Sequence, residues 1–186
     1  QERAFTRSVM SQLQAIAFDF SVKEIIEMGW VSRGESLYAS EFEDAVIEVV
    51  AKCGVESLIN RNFNTLSGGE QRRVHFARTL LQLWRPSNST DPKYLLLDEP
   101  TANLDLTYEV KLLNIVKKAS LEGTGVMLVL HDLNLAAKFS DKIALLNKGS
   151  IVKTGTPKEV LSSDILSGIY DIDIKVQEDP LFITYY

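Results

Sequence analysis

A chain of 186 residues that is 45% hydrophobic and 24% charged suits one folded domain, or one domain with a lobe, and can bury a real core. Its net charge of −5 argues against nucleic acid as a main partner, since nucleic acid selects a basic face. The one cysteine, Cys53, excludes an internal disulfide, and no apolar run reaches the ~18 to 20 residues needed to span a bilayer.

The chain opens on Gln1-Glu2-Arg3-Ala4-Phe5, with neither an initiator methionine nor a signal-peptide pattern, and this reads as a chain cut from something longer, with a processed natural terminus as the bland alternative. Ser21 with Glu24 forms a capping box for a helix that Gly29 is expected to stop. Ser40 with Glu43 opens a second helix, whose Phe42, Ala45, Val46, Val49 and Val50 fall on one stripe before Gly54 ends it. A third helix begins at Leu66-Ser67-Gly68-Gly69-Glu70 and runs to about Trp84, followed by a polar loop, Arg85 to Pro92. The continuous apolar run Tyr94-Leu95-Leu96-Leu97-Asp98 predicts a strand buried on both faces. After a helix and a Gly-rich turn comes a second such strand, Gly125 to His131, and strand–helix–strand predicts a parallel α/β sheet. Then follow a hairpin of 142–147 and 150–154, two short helical pieces, and a final strand pair at 172–176 and 181–185. There is no internal repeat and no low-complexity segment.

Four elements carry chemistry. In Ser67-Gly68-Gly69-Glu70, glycines admit a ligand close to the backbone, and the helix N-terminus offers free N–H groups and a positive dipole end suited to phosphate. Alone, such a turn is usually only a helix start. Asp98 and Glu99 place two carboxylates at the exit of a buried strand, where they repel each other unless a cation is present. That pattern suits Asp98 to a Mg2+ water shell and Glu99 to polarising an attacking water, while an exposed turn before Pro100 is the bland alternative. Asp105, at the start of a helix, has an N-cap as its default role. His131 ends the second strand, the position at which open α/β sheets place their sites, although a lone histidine there is more often a hydrogen-bonded packing residue.

In this order, over residues 12 to 160, these motifs resemble the ATP-binding-cassette (ABC) family. The resemblance implies an α/β fold of the P-loop NTPase type: a mostly parallel sheet with flanking helices, plus a helical signature lobe. It implies one partial domain over 1–186, with the lobe at about 13–84, the core at 93–160 and a C-terminal extension at 161–186. It makes Ser67, Gly68, Gly69 and Glu70 the signature that grips an ATP held mainly by a second copy of the ATPase. Asp98 closes the Walker B motif, Glu99 is the general base, Asp105 the D-loop acid and His131 the switch histidine. Gln12 resembles the Q-loop glutamine, which with Asp98 serves Mg2+, partly through water. ATP and Mg2+ are the implied cofactors; transmembrane permease subunits, a homodimer mate and, indirectly, a periplasmic haem-binding protein are the implied partners. The implied location is the cytoplasmic face of the cell membrane, as a peripheral subunit. One part of the family pattern is missing, because no G-x-x-x-x-G-K-[ST] occurs in the sequence. The phosphate loop and N-terminal strands are expected upstream of Gln1, and the 186 residues alone are expected to be inactive, with an uncovered sheet edge.

Within the family, the loop after Leu80-Leu81-Gln82-Leu83-Trp84 and the stretch Ala17 to Val22 resemble hemin-import ATPases, with ferric-siderophore and cobalamin importers as alternatives. Rival readings are the ATPase head of a DNA-repair or chromosome-organising protein and a non-catalytic interaction module. The first lacks its usual heptads here, and the second sits poorly with an intact Glu99 and His131.

Overall fold

The computed structural model describes residues 6–11, 16, 18–31 and 38–185. The chain forms two compact units, Gln1–Val129 and Leu130–Tyr186, so the boundary falls inside the segment 93–160 that the sequence reads as one core.

In the first unit, β1 (Arg7–Met10), β2 (Tyr94–Asp98) and β3 (Gly125–Val129) pair in parallel in the order β1-β2-β3. Val9 lies opposite Leu96 and Leu96 opposite Met127, so these three share one face of the sheet. Ser8, Met10, Leu95 and Leu97 alternate onto the other face and are buried. The expected burial on both faces is not seen: Val9 is 50% exposed and Met127 64%. A run such as Leu95-Leu96-Leu97 does not alternate, so its pattern cannot tell one covered face from two.

Three helices build a lobe around a shared apolar centre: α1 (Val22–Val31), α2 (Phe42–Cys53) and α3 (Gly68–Leu83). Ser21 and Glu24 close the expected box on α1, with Ser21 N donating to Glu24 Oε2 at 2.8 Å. Gly29 does not stop this helix. It lies inside it, where a Cβ would sit 2.3 Å from Arg78 O of α3. The glycine is there because two helix backbones approach closely, not because the chain turns. Ser40 also differs from expectation: a 3-10 turn, Ala39–Glu41, precedes α2, and the Ser40 hydroxyl donates to Glu41 at 2.8 Å instead of capping with Glu43. The expected stripe holds, with Ala45, Val49 and Val50 buried, and Gly54 ends α2 in the left-handed region at φ 65°.

Helix α3 joins the lobe to the sheet. It packs on α1, α2 and β1, and the buried Ser8 hydroxyl donates to Gln82 Oε1 at 2.8 Å. Beyond it, Trp84 Nε1 donates to Glu48 Oε2 at 2.6 Å while its ring lies 6.0 Å from that of Trp30. Arg85 faces Asp91 across the polar loop at 3.8 Å, which ties the loop back on itself. Helix α4 (Leu106–Leu121) packs on β3.

The second unit comprises α5 (Leu133–Phe139), the hairpin β4 (Ile143–Asn147) and β5 (Ser150–Gly155), α6 (Pro157–Val160), α7 (Ser163–Tyr170), and the antiparallel pair β6 (Ile174–Glu178) and β7 (Leu181–Tyr185). Its core is Leu145, Val160, Leu161, Leu166, Ile174 and Ile183. Lys148 (φ 48°) and Gly149 (φ 77°) make the tight turn that a two-residue hairpin needs. Strand β6 starts two residues later than the sequence suggests. Asp171 closes α7 in the left-handed region at φ 55°, and Ser167 Oγ accepts from Ile174 N at 3.0 Å. Across this unit the Asn134 amide pairs with β7, accepting from Ile183 N at 2.8 Å and donating to Ile183 O at 3.1 Å.

Candidate functional site

The N-terminus of α3 is built by a capping box. Ser67 N and the Ser67 hydroxyl both donate to Glu70 Oε2 at 2.8 Å, and Glu70 N donates back to Ser67 Oγ at 3.3 Å. The hydrogen bond from Ser67 N, then that from its hydroxyl, hold the Glu70 carboxyl below the usual carboxylate range. Arg61 stands 3.5 Å from Glu70 on the outside. These bonds, with Gln71 N on Ser67 O, occupy the donors flanking Gly68 and Gly69. The N–H groups of the two glycines belong to the first turn, which has no intrahelical acceptor for them. A Cβ added at Gly68 would meet nothing within 4 Å, whereas one at Gly69 would sit 3.0 Å from Asn103 O. Packing within the chain thus explains Gly69 but not Gly68, and the open space at Gly68 suits an anion brought to the helix end.

Asp98 closes β2 half-buried, and Glu99 follows with φ 47°, a conformation rare for a residue with a side chain. Glu99 N donates to Val129 O at 3.1 Å, so the sheet pairing extends one residue past Asp98 and fixes the backbone where the second carboxylate leaves it. Sequence reading placed the two acids at the strand exit but missed this turn, because nothing in Asp-Glu-Pro demands a left-handed residue. Among the described residues no three His, Cys, Asp or Glu side chains gather as a metal-binding group. A divalent ion beside Asp98 would take its remaining oxygens from phosphate and water, as Mg2+ does.

Asp105 takes the N-cap role, accepting from Tyr108 N at 3.0 Å at the head of α4. The loop between Glu99 and Asp105 lies against the signature helix through Asn103 O beside Gly69 and through Arg72, whose Nε donates to Ala102 O at 3.3 Å. Arg72 is only 3% exposed, and burial depresses its guanidinium pKa while Glu99 and Asp98 push it back up. The sequence reading passed over Arg72. Its signal was there, because Arg72, Phe76, Thr79 and Leu83 fall on one buried stripe of α3.

His131 lies in the second unit, exposed, two residues past the end of β3 and just ahead of Asp132, which caps α5 by accepting from Asn134 N and Leu135 N. Strand β3 stops at Val129, so His131 stands beyond the strand rather than in it. The structure therefore brings Ser67–Glu70, Asp98, Glu99, Asp105 and Arg72 together in one unit, with His131 in the other. Gln12 lies outside the described residues.

Residues 3–102 match the ABC transporter family. The chain is 42% identical over 180 residues to the hemin import ATP-binding protein HmuV of Rhodopseudomonas palustris (strain BisB5), spanning 96% of this chain and 67% of that protein. It is 41% identical to the protein of the same name from Escherichia coli O157:H7, over 96% of this chain and 68% of that one. Among solved structures, a metal-chelate type ABC transporter in an inward-facing conformation superposes with a TM-score of 0.78 at 23% identity, over 97% of this chain and 71% of that chain. CbiO1 from Clostridium perfringens, part of the cbiONQ ABC transporter complex, gives 0.63 at 25% identity, over 88% of this chain and 62% of its own. Parallel sheet and sequence kinship agree: the chain belongs to the ABC transporter family, to the ATPase component that couples ATP hydrolysis to transport.

Proposed function

We propose that this chain is the greater part of the ATPase subunit of a haem importer, working as one of a pair of copies beneath transmembrane permease subunits at the cytoplasmic face of the membrane. Kinship at 41–42% identity with two hemin import proteins supports the substrate. In this reading substrate choice belongs to the permease and its binding protein, and this chain supplies the ATP-driven step.

The observation that carries the catalytic half is the left-handed backbone of Glu99 at the exit of β2. Such strain persists where the surrounding structure over-determines it, and here the bond to Val129 O does so. Bound Mg-ATP supplies the electrophilic γ-phosphate. In this reading Glu99 orients the attacking water and takes its proton, Asp98 offers a carboxylate oxygen to the metal's shell, and the Gly68 and Gly69 N–H groups meet phosphate oxygens of ATP held by the other copy. His131 reaches a phosphate oxygen, Gln12 joins the metal's water shell, and Asp105 faces the second copy. Each of these roles is assigned by position in the family's pattern.

The test is complementation. A strain deleted for the gene, grown with haem as sole iron source, is given either the full-length wild type or Glu99→Gln. Wild type should restore growth. Glu99→Gln should not, because an amide cannot take the proton, and its purified form should lose turnover by on the order of 10² to 10⁴ while still binding ATP. Normal growth of the deletion strain on haem overturns the substrate; wild-type turnover by Glu99→Gln overturns the base.

A further inference from the structure

Arg72 is a charged group in a place that ordinarily excludes charge. It stands on the core stripe of α3, 3% exposed, one turn into the signature helix. Only part of its guanidinium is spoken for: Nε donates to Ala102 O at 3.3 Å, while Nη1 is enclosed and finds no hydrogen-bond partner among the described residues. Buried donors are nearly always met, and a charged one left unmet is costly. A purely structural bolt between α3 and the 99–105 loop would need Nε alone. Gly69 packed beside Asn103 O already supplies a second point of contact between the same elements. Nη1 is therefore surplus to holding the loop. The acidic groups whose field reaches this guanidinium are Glu99 first and Asp98 second.

We propose that Arg72 is the positioning residue for Glu99, anchoring the Glu99 loop through Ala102 O and reserving Nη1 as the donor that holds the Glu99 carboxylate in its working pose. This rests on Glu99 being the base. The fork of a guanidinium can serve two acceptors in fixed geometry, which a lysine cannot. The backbone of Glu99 is fixed by its bond to Val129 O, and a guanidinium donor at the strand exit would set the direction in which its side chain leaves that left-handed residue.

The experiment is a double-mutant cycle between Arg72→Met and Glu99→Gln in the full-length ATPase with its permease. Steady-state and single-turnover ATP hydrolysis, KM and thermal unfolding are measured for each variant. Replacing a buried, half-paired charge by an apolar chain of similar length is expected to leave unfolding unchanged or raise its midpoint. Turnover should fall on the order of 10- to 100-fold with KM within about twofold of wild type, the mark of a contact made in the chemical step. In the Glu99→Gln background, Arg72→Met should slow single turnover no further, because the group it positions is gone. If Arg72→Met does not fold, Arg72→Lys runs the same cycle; it keeps the charge but not the planar fork, and should also lose kcat. Wild-type turnover, a loss confined to KM, or a full additional loss in the Glu99→Gln background overturns the proposal. Wild-type turnover by Glu99→Gln itself overturns the base and leaves the cycle without a reference, so the two failures are distinguishable.

Discussion

His75 sits midway along α3 with its ring edge-on to Phe63, centroids 5.1 Å apart, and its Nε2 meets no partner among the described residues. Burial, reinforced by Arg78 and Arg72, pushes its pKa down to about 4 from 6.5. The folded state therefore resists a proton that the unfolded chain accepts. The stability this contributes is complete above pH 6.5 and is lost as pH falls towards 4. The full difference in pKa sets an upper limit, and partial exposure of the ring reduces it, so the loss is on the order of 1 to 3 kcal/mol. Urea unfolding at pH 7 and pH 4.5 should show it, and His75→Leu should show a shallower fall over the same interval. An identical fall in both proteins would remove His75 as the cause. Residue by residue, the sequence was most legible where chemistry and position coincide: Ser67, Asp98 and Glu99 could be named from their neighbours alone. Arg72 and the turn at Glu99 were not legible, because orphaned donors and backbone dihedrals arise from packing between elements far apart in the chain.

At the scale of elements, Gly29 carries the sharpest expectation. Its Cα hydrogen faces Arg78 O, and a methyl there would sit 2.3 Å from that oxygen. Neither atom belongs to a flexible side chain, so α1 and α3 would have to separate. Gly29→Ala should cost about 1 to 3 kcal/mol, even though alanine is the better helix former. Thermal unfolding should report it at roughly 2 to 4 °C per kcal/mol; an unchanged or raised midpoint would show that the helices accommodate the methyl. The sequence suggested a stop at Gly29 because glycine so often ends a helix, and a single chain does not reveal which helix lies across it. Elements set by local chemistry read correctly instead. The Ser21–Glu24 box, the helix start at Ser67–Glu70, the Gly54 terminus and the Lys148-Gly149 turn each depend on residues within four positions. Ser40 is the instructive exception: its hydroxyl had two nearby acids to choose from, and the 3-10 turn placed Glu41 within reach.

For the whole molecule, the site is one-sided. The Ser67–Glu70 helix start, the Asp98–Glu99 pair and the capping Asp105 are present, but the 186 residues contain no G-x-x-x-x-G-K-[ST] to cradle β and γ phosphates. Calorimetric titration of the 186-residue chain with Mg-ATP should find no affinity tighter than about 1 mM, or about −4 kcal/mol. Micromolar binding would show that the signature end holds nucleotide unaided. The sheet that carries this site has a further consequence, which concerns time. In register, Arg7 pairs with Tyr94, 94 − 7 = 87 positions later, while the two strands of the β4–β5 hairpin are joined by Lys148 and Gly149 alone. On the ribosome, at ~5 to 20 residues per second, β1 waits roughly 4 to 17 s for the strand it must meet. Its brevity is then protective. Four residues, Arg7–Met10, offer too short a template for a wrong partner to hold while the right one is still being made.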